Sequence, residues 1–254
     1  MTDFQTLAAS FGPVAEEYDR GRPSYPEALF DELERLAGLP LRGANVLDVG
    51  AGTGIATRLL AGRGARVTAV EPSAGMAARF HRVSPELPLV RGDGNDLPFH
   101  DSTADLVCYA QAFHWTDPAR SVPEAIRVLR PGGALATWWN VKDGSVPWVA
   151  EMGRRLAASA PGHHGYRAVD GIAGLLEPHD LRVGTAGLRW ERRTTVDHLI
   201  ADLTSRSYLA ALTPGQRAPL LAVEREALLA EFPDGLLTEP YVLKLTVAVT
   251  AARL

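Results

Sequence analysis

Val46-Leu-Asp-Val-Gly-Ala-Gly-Thr-Gly-Ile55, followed by Val67-Thr-Ala-Val-Glu-Pro-Ser73, decides the fold. The first stretch reads as a buried strand running into a glycine-rich turn and the start of a helix. The second is another apolar strand, closed by an acid. A unit of this kind holds a nucleoside at the carboxyl ends of parallel strands. Gly50, Gly52 and Gly54 let the backbone turn sharply and approach a ligand with no Cβ in the way. Glu71 stands 21 residues after Gly50, where a carboxylate accepts hydrogen bonds from both hydroxyls of a ribose. A dinucleotide fingerprint wants glycine or alanine at the third position of G-x-G-x-x-G, and here that position is Ile55. The spacing is G-x-G-x-G, with Asp48 just ahead of it in the strand.

Working outward, Arg91-Gly-Asp-Gly-Asn-Asp-Leu-Pro-Phe99 begins 20 residues after Glu71, and Ala104-Asp-Leu-Val-Cys-Tyr109 reads as a further buried strand. Gln111-Ala-Phe-His-Trp115 follows, then Leu129-Arg-Pro-Gly-Gly133, which opens a strand to Trp139. Strands are expected near 45–49, 66–70, 88–91, 104–109 and 133–139, with helices near 26–37, 54–62, 73–82 and 122–129. Ser121 and Glu124 read as a capping box with Pro123 in the first turn. Short alternating strands and helices imply an α/β, parallel, doubly wound sheet. Beyond Asn140 the pattern loosens. A helix is expected over 146–160, a strand over 184–194, and a helix from the capping box Thr213-Pro-Gly-Gln216 to Phe232. Tyr241 to Ala251 alternates Tyr, Leu, Leu, Val and Val on one face, a closing strand.

At 254 residues, 46% hydrophobic and 22% charged, the chain can bury one sizeable core, so a single domain over 1–254 is expected. A net charge of −4 and scattered arginines argue against a nucleic-acid partner. The one cysteine, Cys108, excludes an internal disulfide. No signal-like leader and no apolar run long enough for a membrane span appear, so a cytoplasmic protein is expected. His163-His164 does not make a metal site, because adjacent histidines rarely chelate alone. Neither a Gly-x-Ser-x-Gly elbow nor a Walker-type Gly-Lys-Ser is present. Oligomeric state is not legible.

On these residues the chain resembles the class I S-adenosylmethionine-dependent methyltransferases. It is most similar to the small-molecule branch of trans-aconitate and ubiquinone-type enzymes. The resemblance is direct over roughly residues 10–140 and rests on element pattern beyond. It implies a Rossmann-like, doubly wound, seven-stranded sheet. The last strand would be antiparallel, slotted between the fifth and sixth, and a small helical cap and the last two strands would fill 141–254. It implies S-adenosyl-L-methionine as cofactor. The turn Gly50, Gly52, Gly54 would face its methionine part, Glu71 its ribose and Asp93 its adenine amino group, with Asp48, Gly94 and Gln111 nearby. Tyr18 and Arg22, in a lead-in that folds over the cofactor in that branch, would meet the methionine carboxylate.

Methyl transfer from a sulfonium is an in-line displacement with the leaving group already in place, so holding nucleophile and methyl in line supplies much of the catalysis. A base is needed only if the nucleophile arrives protonated. His114, just beyond the fourth strand, is the candidate base; packing of its loop with Trp115 is the bland alternative. Trp115, Trp139 and Tyr208 are candidate substrate contacts, although alternation allows only one of Trp138 and Trp139 to line a pocket. The function expected is methyl transfer to an O, N or C nucleophile of a small hydrophobic or aromatic metabolite. A nicotinamide-dependent oxidoreductase and a non-catalytic cofactor-binding protein are the alternatives.

Overall fold

Seven strands form one sheet in the order β3-β2-β1-β4-β5-β7-β6. They are β1 Asn45–Val49, β2 Arg66–Val70, β3 Leu89–Val90, β4 Ala104–Ala110, β5 Leu129–Lys142, β6 Arg182–Thr195 and β7 Leu236–Val249. The structure is a computed structural model that describes residues 21–159, 171–204, 206–210 and 212–252. Tyr18 and His163-His164 lie outside the described residues. β1 pairs in parallel with β2 and β4, β2 with β3, and β4 with β5. Only β7 runs antiparallel, inserted between β5 and β6 as expected.

The helices are α1 Glu27–Ala37, α2 Ile55–Gly62, α3 Ala74–Val83, α4 Pro118–Val128, α5 Pro147–Ser159, α6 Ile172–Leu176, α7 Val196–Thr204, α8 Ser207–Ala210 and α9 Pro214–Glu231. Both faces of the parallel half are covered, which is why its strands read as unbroken apolar runs. On one face Val46, Leu106, Cys108, Ala136 and Trp138 pack with Leu29, Phe30 and Leu33 of α1 and Leu60 of α2. On the other, Leu47, Val49, Val107, Tyr109, Leu135 and Trp139 meet Val122, Ala125 and Val128 of α4. Each large side chain so buried contributes about 1.5–3 kcal/mol. A third cluster joins α5, α7 and α9 through Met152, Leu156, Leu199, Leu203 and Leu228, and forms the helical cap. A cavity of about 460 Å³ opens among Val46, Val67, Pro88, Phe99 and Thr103. It lies at the amino ends of the strands, away from the glycine turn.

Two expectations are corrected. Ser121 does not cap a helix: α4 starts at Pro118, with Asp117 accepting from the Ala119 N–H. An Asp followed by a proline at the first helical position is the stronger start signal. Pro123 therefore sits inside the helix, and Ser121 is buried against the Thr116 hydroxyl. Glu124 instead accepts from Leu97 N–H and pairs with Arg127. The closing strand also begins earlier than Tyr241, at Leu236, and runs through Pro240. Its pairing with β5 ends at Tyr241, so from Pro240 outward β7 has a ladder neighbour only in β6 and the missing N–H costs little. The capping box at Thr213 and Gln216 forms as expected.

Candidate functional site

The carboxyl ends of β1, β2 and β4 meet where the strand order reverses, the place at which open α/β sheets bind ligands. The glycine turn leaves β1 there and is tied to β2 by Gly50 N–H and Ala51 N–H, both donating to the Val70 carbonyl at 2.8 and 3.1 Å. Gly50 has φ 70°, and a Cβ on it would stand 2.5 Å from the Ala112 methyl, so the turn and the loop after β4 touch only because this residue is glycine. A Cβ on Gly52 would meet nothing within 4 Å. The backbone is therefore exposed to open space at the centre of the turn.

Glu71, 5% exposed, ends β2 with its carboxylate against that centre. One oxygen accepts from Gly52 N–H at 2.8 Å and the other from Ser73 N–H at 2.7 Å. Burial raises its pKa, and the two N–H donors only partly oppose this. Each oxygen keeps a second lone pair for a ligand hydroxyl. Asp48 lies deeper, wholly buried beneath the turn. It accepts from the Thr57 hydroxyl at 2.6 Å and faces the Cys108 thiol at 3.7 Å. Desolvation pushes its pKa to about 6, and the bonds from Thr57 and Cys108 restrain the rise. Its side chain anchors the turn to α2 and β4 and presents no surface to a ligand.

Asp93, half-buried, uses one oxygen in an Asx turn with Asn95 N–H and leaves the other unused by that turn. Gly94 is buried, its carbonyl accepting from Tyr109 Oη at 3.3 Å. A Cβ there would press on Thr116, Tyr109 and Val49 at 3.0–3.1 Å, so Gly94 is a packing glycine that docks this loop on β1 and β4. Gln111 holds φ 55°, rare for a residue with a side chain, and its N–H donates to the Trp138 carbonyl. That bend turns the chain into the short 3-10 turn Phe113–Trp115.

His114 is exposed, just beyond the end of β4. Desolvation, then the Arg22 charge, push its pKa down to about 4, so the imidazole is neutral at pH 7. It is packed against Trp115 at 4.6 Å and Trp139 at 6.3 Å between ring centroids. Trp139 Nε1–H donates to His114 Nδ1 at 3.3 Å. Trp138 and Trp139 do point to opposite faces, but both are buried, so Trp139 presents no surface to a ligand. Tyr208, half-buried on α8, packs against the cap cluster.

Arg22 reaches the wholly buried Asp202 of α7, Nε to Oδ1 3.7 Å. Sequence reading missed the polar cluster around this pair. Asp202 is bound by Arg206 at 2.7 Å, Glu239 by Arg192 at 2.6 Å and by Lys142, and Arg192 also donates to the Gly21 carbonyl. Burial raises the pKa of Asp202, and Arg206, Arg22 and Lys142 outweigh it, holding the carboxyl at about 2. Only the i, i+4 pair of Asp202 and Arg206 was legible as a local signal.

The chain matches the methyltransferase domain family over residues 47–137. An uncharacterized methyltransferase of Mycobacterium tuberculosis is 39% identical over 202 residues, covering 80% of this chain and 78% of the relative. The chain belongs to the class I S-adenosylmethionine-dependent methyltransferases. The malonyl-[acyl-carrier protein] O-methyltransferase of Pectobacterium atrosepticum is 35% identical over 161 residues, covering 60% of this chain and 59% of that one. A solved structure assigned as a type II methyltransferase, from Anaeromyxobacter dehalogenans, superimposes with a TM-score of 0.71 at 27% identity, covering 91% of this chain and 99% of that one. Family membership sets aside the nicotinamide alternative and makes S-adenosylmethionine the cofactor of this methyltransferase. The residues present fit it: a buried carboxylate with spare lone pairs stands beside a glycine that a Cβ does not screen. The family match ends at Thr137, inside β5, so the cluster of Lys142, Arg192, Asp202, Arg206 and Glu239 lies outside the matched segment. Among the described residues no helix is long and apolar enough to cross a membrane.

Proposed function

We propose that this methyltransferase acts on a small molecule that enters between the Gln111–Trp115 loop and the cap, with an apolar or aromatic part against Trp115. Glu71 holds the cofactor ribose, Gly52 lies along its methionine part, and the Asp93 oxygen not used in the Asx turn faces its adenine. Arg22, whose Nε stands 3.7 Å from Asp202 Oδ1, holds the methionine carboxylate. Asp48, Gly50, Gly54 and Gly94 shape the pocket from behind. When bound, the cofactor supplies an activated methyl on a sulfonium; the protein supplies alignment and exclusion of water. The observation that carries the reading is the Glu71 carboxylate against Gly52 N–H, with open space over that glycine.

Calorimetric titration with S-adenosylmethionine, S-adenosylhomocysteine, NAD and NADP tests it. Binding of the two adenosyl ligands alone is expected, and Glu71→Ala should weaken it by about 2–4 kcal/mol through loss of charged hydrogen bonds to two hydroxyls. Equal affinity in the variant would refute the placement of the ribose.

A further inference from the structure

Residues 22–26, which lead into α1, belong to no helix or strand, so side chains from elsewhere in the fold must hold their backbone. The Gly21 carbonyl accepts from Arg192 Nη2 at 3.1 Å and from His198 Nε2 at 3.2 Å. A Cβ on Gly21 would stand 3.2 Å from the Asp202 Cα, so glycine lets the chain lie this close to α7. The Ser24 carbonyl accepts from Asn140 Nδ2 at 3.0 Å. Beside it the Tyr25 ring stands edge-on to Trp138, with centroids 6.0 Å apart. Arg22 is thus bracketed on a strap, with one anchored carbonyl just before it and another two residues after it.

The anchor at Ser24 has a fixed polarity. Asn140 is buried near the end of β5, and Trp190 Nε1 donates to its Oδ1 at 2.9 Å. Indole nitrogen is a donor only and a main-chain carbonyl is an acceptor only, so both neighbours demand the same orientation of the amide. The Trp190 ring is itself stacked on Tyr241, with centroids 5.0 Å apart. Tyr241 therefore holds Trp190, Trp190 holds Asn140, and Asn140 holds Ser24. At the other anchor Arg192 is fixed by Glu239 at 2.6 Å. All of these residues lie outside the segment 47–137 that carries the family match.

We propose that Asn140 is a positioning residue for the cofactor. It acts through the Ser24 carbonyl and, with Arg192 on the Gly21 carbonyl, fixes the backbone on both sides of Arg22. This rests on the reading that Arg22 holds the methionine carboxylate. A charged, directional pair loses much of its strength when one partner is displaced by about 1 Å. The ribose and adenine contacts of that reading come from the end of β2 and the loop after β3, and do not pass through the strap. Loosening the strap therefore weakens the grip on the amino-acid end of the cofactor and leaves the grip on its nucleoside end as it was.

Calorimetry on the full chain tests this with S-adenosylhomocysteine and with methylthioadenosine, which keeps the nucleoside and the sulfur but has no amino-acid part. Asn140→Asp keeps an oxygen for Trp190 and removes the NH2 from the Ser24 carbonyl. Arg192→Lys keeps a cation for Glu239 without the second arm that reaches Gly21, and probes the other anchor should the buried carboxylate prevent folding. Urea unfolding certifies each sample. In either variant S-adenosylhomocysteine should bind about tenfold more weakly, and methylthioadenosine within about twofold of wild type. Arg22→Met should show the same split, and adding either anchor variant to it should cost nothing further, because the route through Arg22 is already cut. Equal weakening of both ligands, or losses that add in the double variant, would make Asn140 a general prop of the fold and overturn the proposal. Anchor variants that bind like wild type, with Arg22→Met weakened, would overturn it and leave the placement of Arg22 standing. An Arg22→Met protein with unchanged affinity would remove that placement and the proposal with it, and a wild type that binds neither ligand would remove the cofactor site as a whole.

Discussion

Asp48→Asn should stabilise this protein, and by an amount that grows with pH. The side chain is wholly buried beneath the glycine turn, and its carboxyl is shifted from 3.8 to about 6 in the folded state. A carboxyl whose folded pKa lies above its unfolded one binds more protons in the native state between the two values, so folding stability falls as pH rises through that window. Each pH unit of difference is worth about 1.36 kcal/mol. With values of 3.8 and about 6, the ionised group costs about 1.5 kcal/mol at pH 5 and about 3 kcal/mol at pH 8. Asparagine removes the charge at nearly constant shape. Its amide oxygen can accept from the Thr57 hydroxyl, and its NH2 can face the Cys108 sulfur, a weak acceptor. Urea unfolding of wild type and variant at pH 5, 6, 7 and 8 reads the difference, and the other titrating groups cancel between the two proteins. A stability gap that is the same at pH 5 and pH 8, or a variant less stable throughout, would refute the claim that desolvation of Asp48 dominates its hydrogen bonds.

Gly54→Ala should destabilise by about 2–4 kcal/mol, because the residue holds φ 86° and the new methyl would lie 2.6 Å from the buried Phe80 ring. Urea unfolding checks this, and a loss under about 1 kcal/mol would mean the turn relaxes at little cost. Glu239→Ala strips Lys142 and Arg192 of their shared carboxylate and should cost about 3 kcal/mol. Glu239→Gln, which keeps one acceptor, should cost less, and equal losses would mean that charge pairing there contributes little. Arg22→Met should raise the His114 pKa, since the guanidinium charge is one of the two causes that depress it. An NMR titration of the ring reads the change, and an unmoved midpoint would show that crowding alone sets it.

The candidate cofactor residues were found because their signals are local. Three glycines spaced two apart, an acid 21 residues beyond the first and an Asp after the third strand are each read within one strand and its following turn. The geometry then sorts them by depth in a way spacing does not encode. Glu71 faces the open centre of the turn, while Asp48, at the preceding strand position, is sealed off. Gly94 looked like a ligand glycine and is filled around by Thr116, Tyr109 and Val49. The bond from Trp139 to His114 spans 25 residues and exists because β4 and β5 pair side by side, which no motif states. The cation cluster was out of reach for the same reason: Arg192 meets the Gly21 carbonyl across 171 residues. The start of β7 was misread through Pro240, whose tolerance depends on where β5 stops.

Pairing of β5 with β7 ends at Lys142 and Tyr241, but β6 and β7 stay paired for five more positions, from Glu191 with Pro240 to Thr195 with Leu236. At about 3.3 Å per residue the ribbon rises about 16 Å beyond β5, on the side where the parallel strands end. A two-stranded ribbon is marginal by itself. Here it carries Glu239 and Arg192 and leads directly into α7, whose first N–H closes onto Gly235. The ion cluster and the packing of α7 on α9 hold it upright. The projecting ribbon is therefore held by buried charge, while the glycine turn is built on the doubly covered sheet. Substitutions on the ribbon therefore need not disturb the glycine turn, so the fold can vary one part while keeping the other.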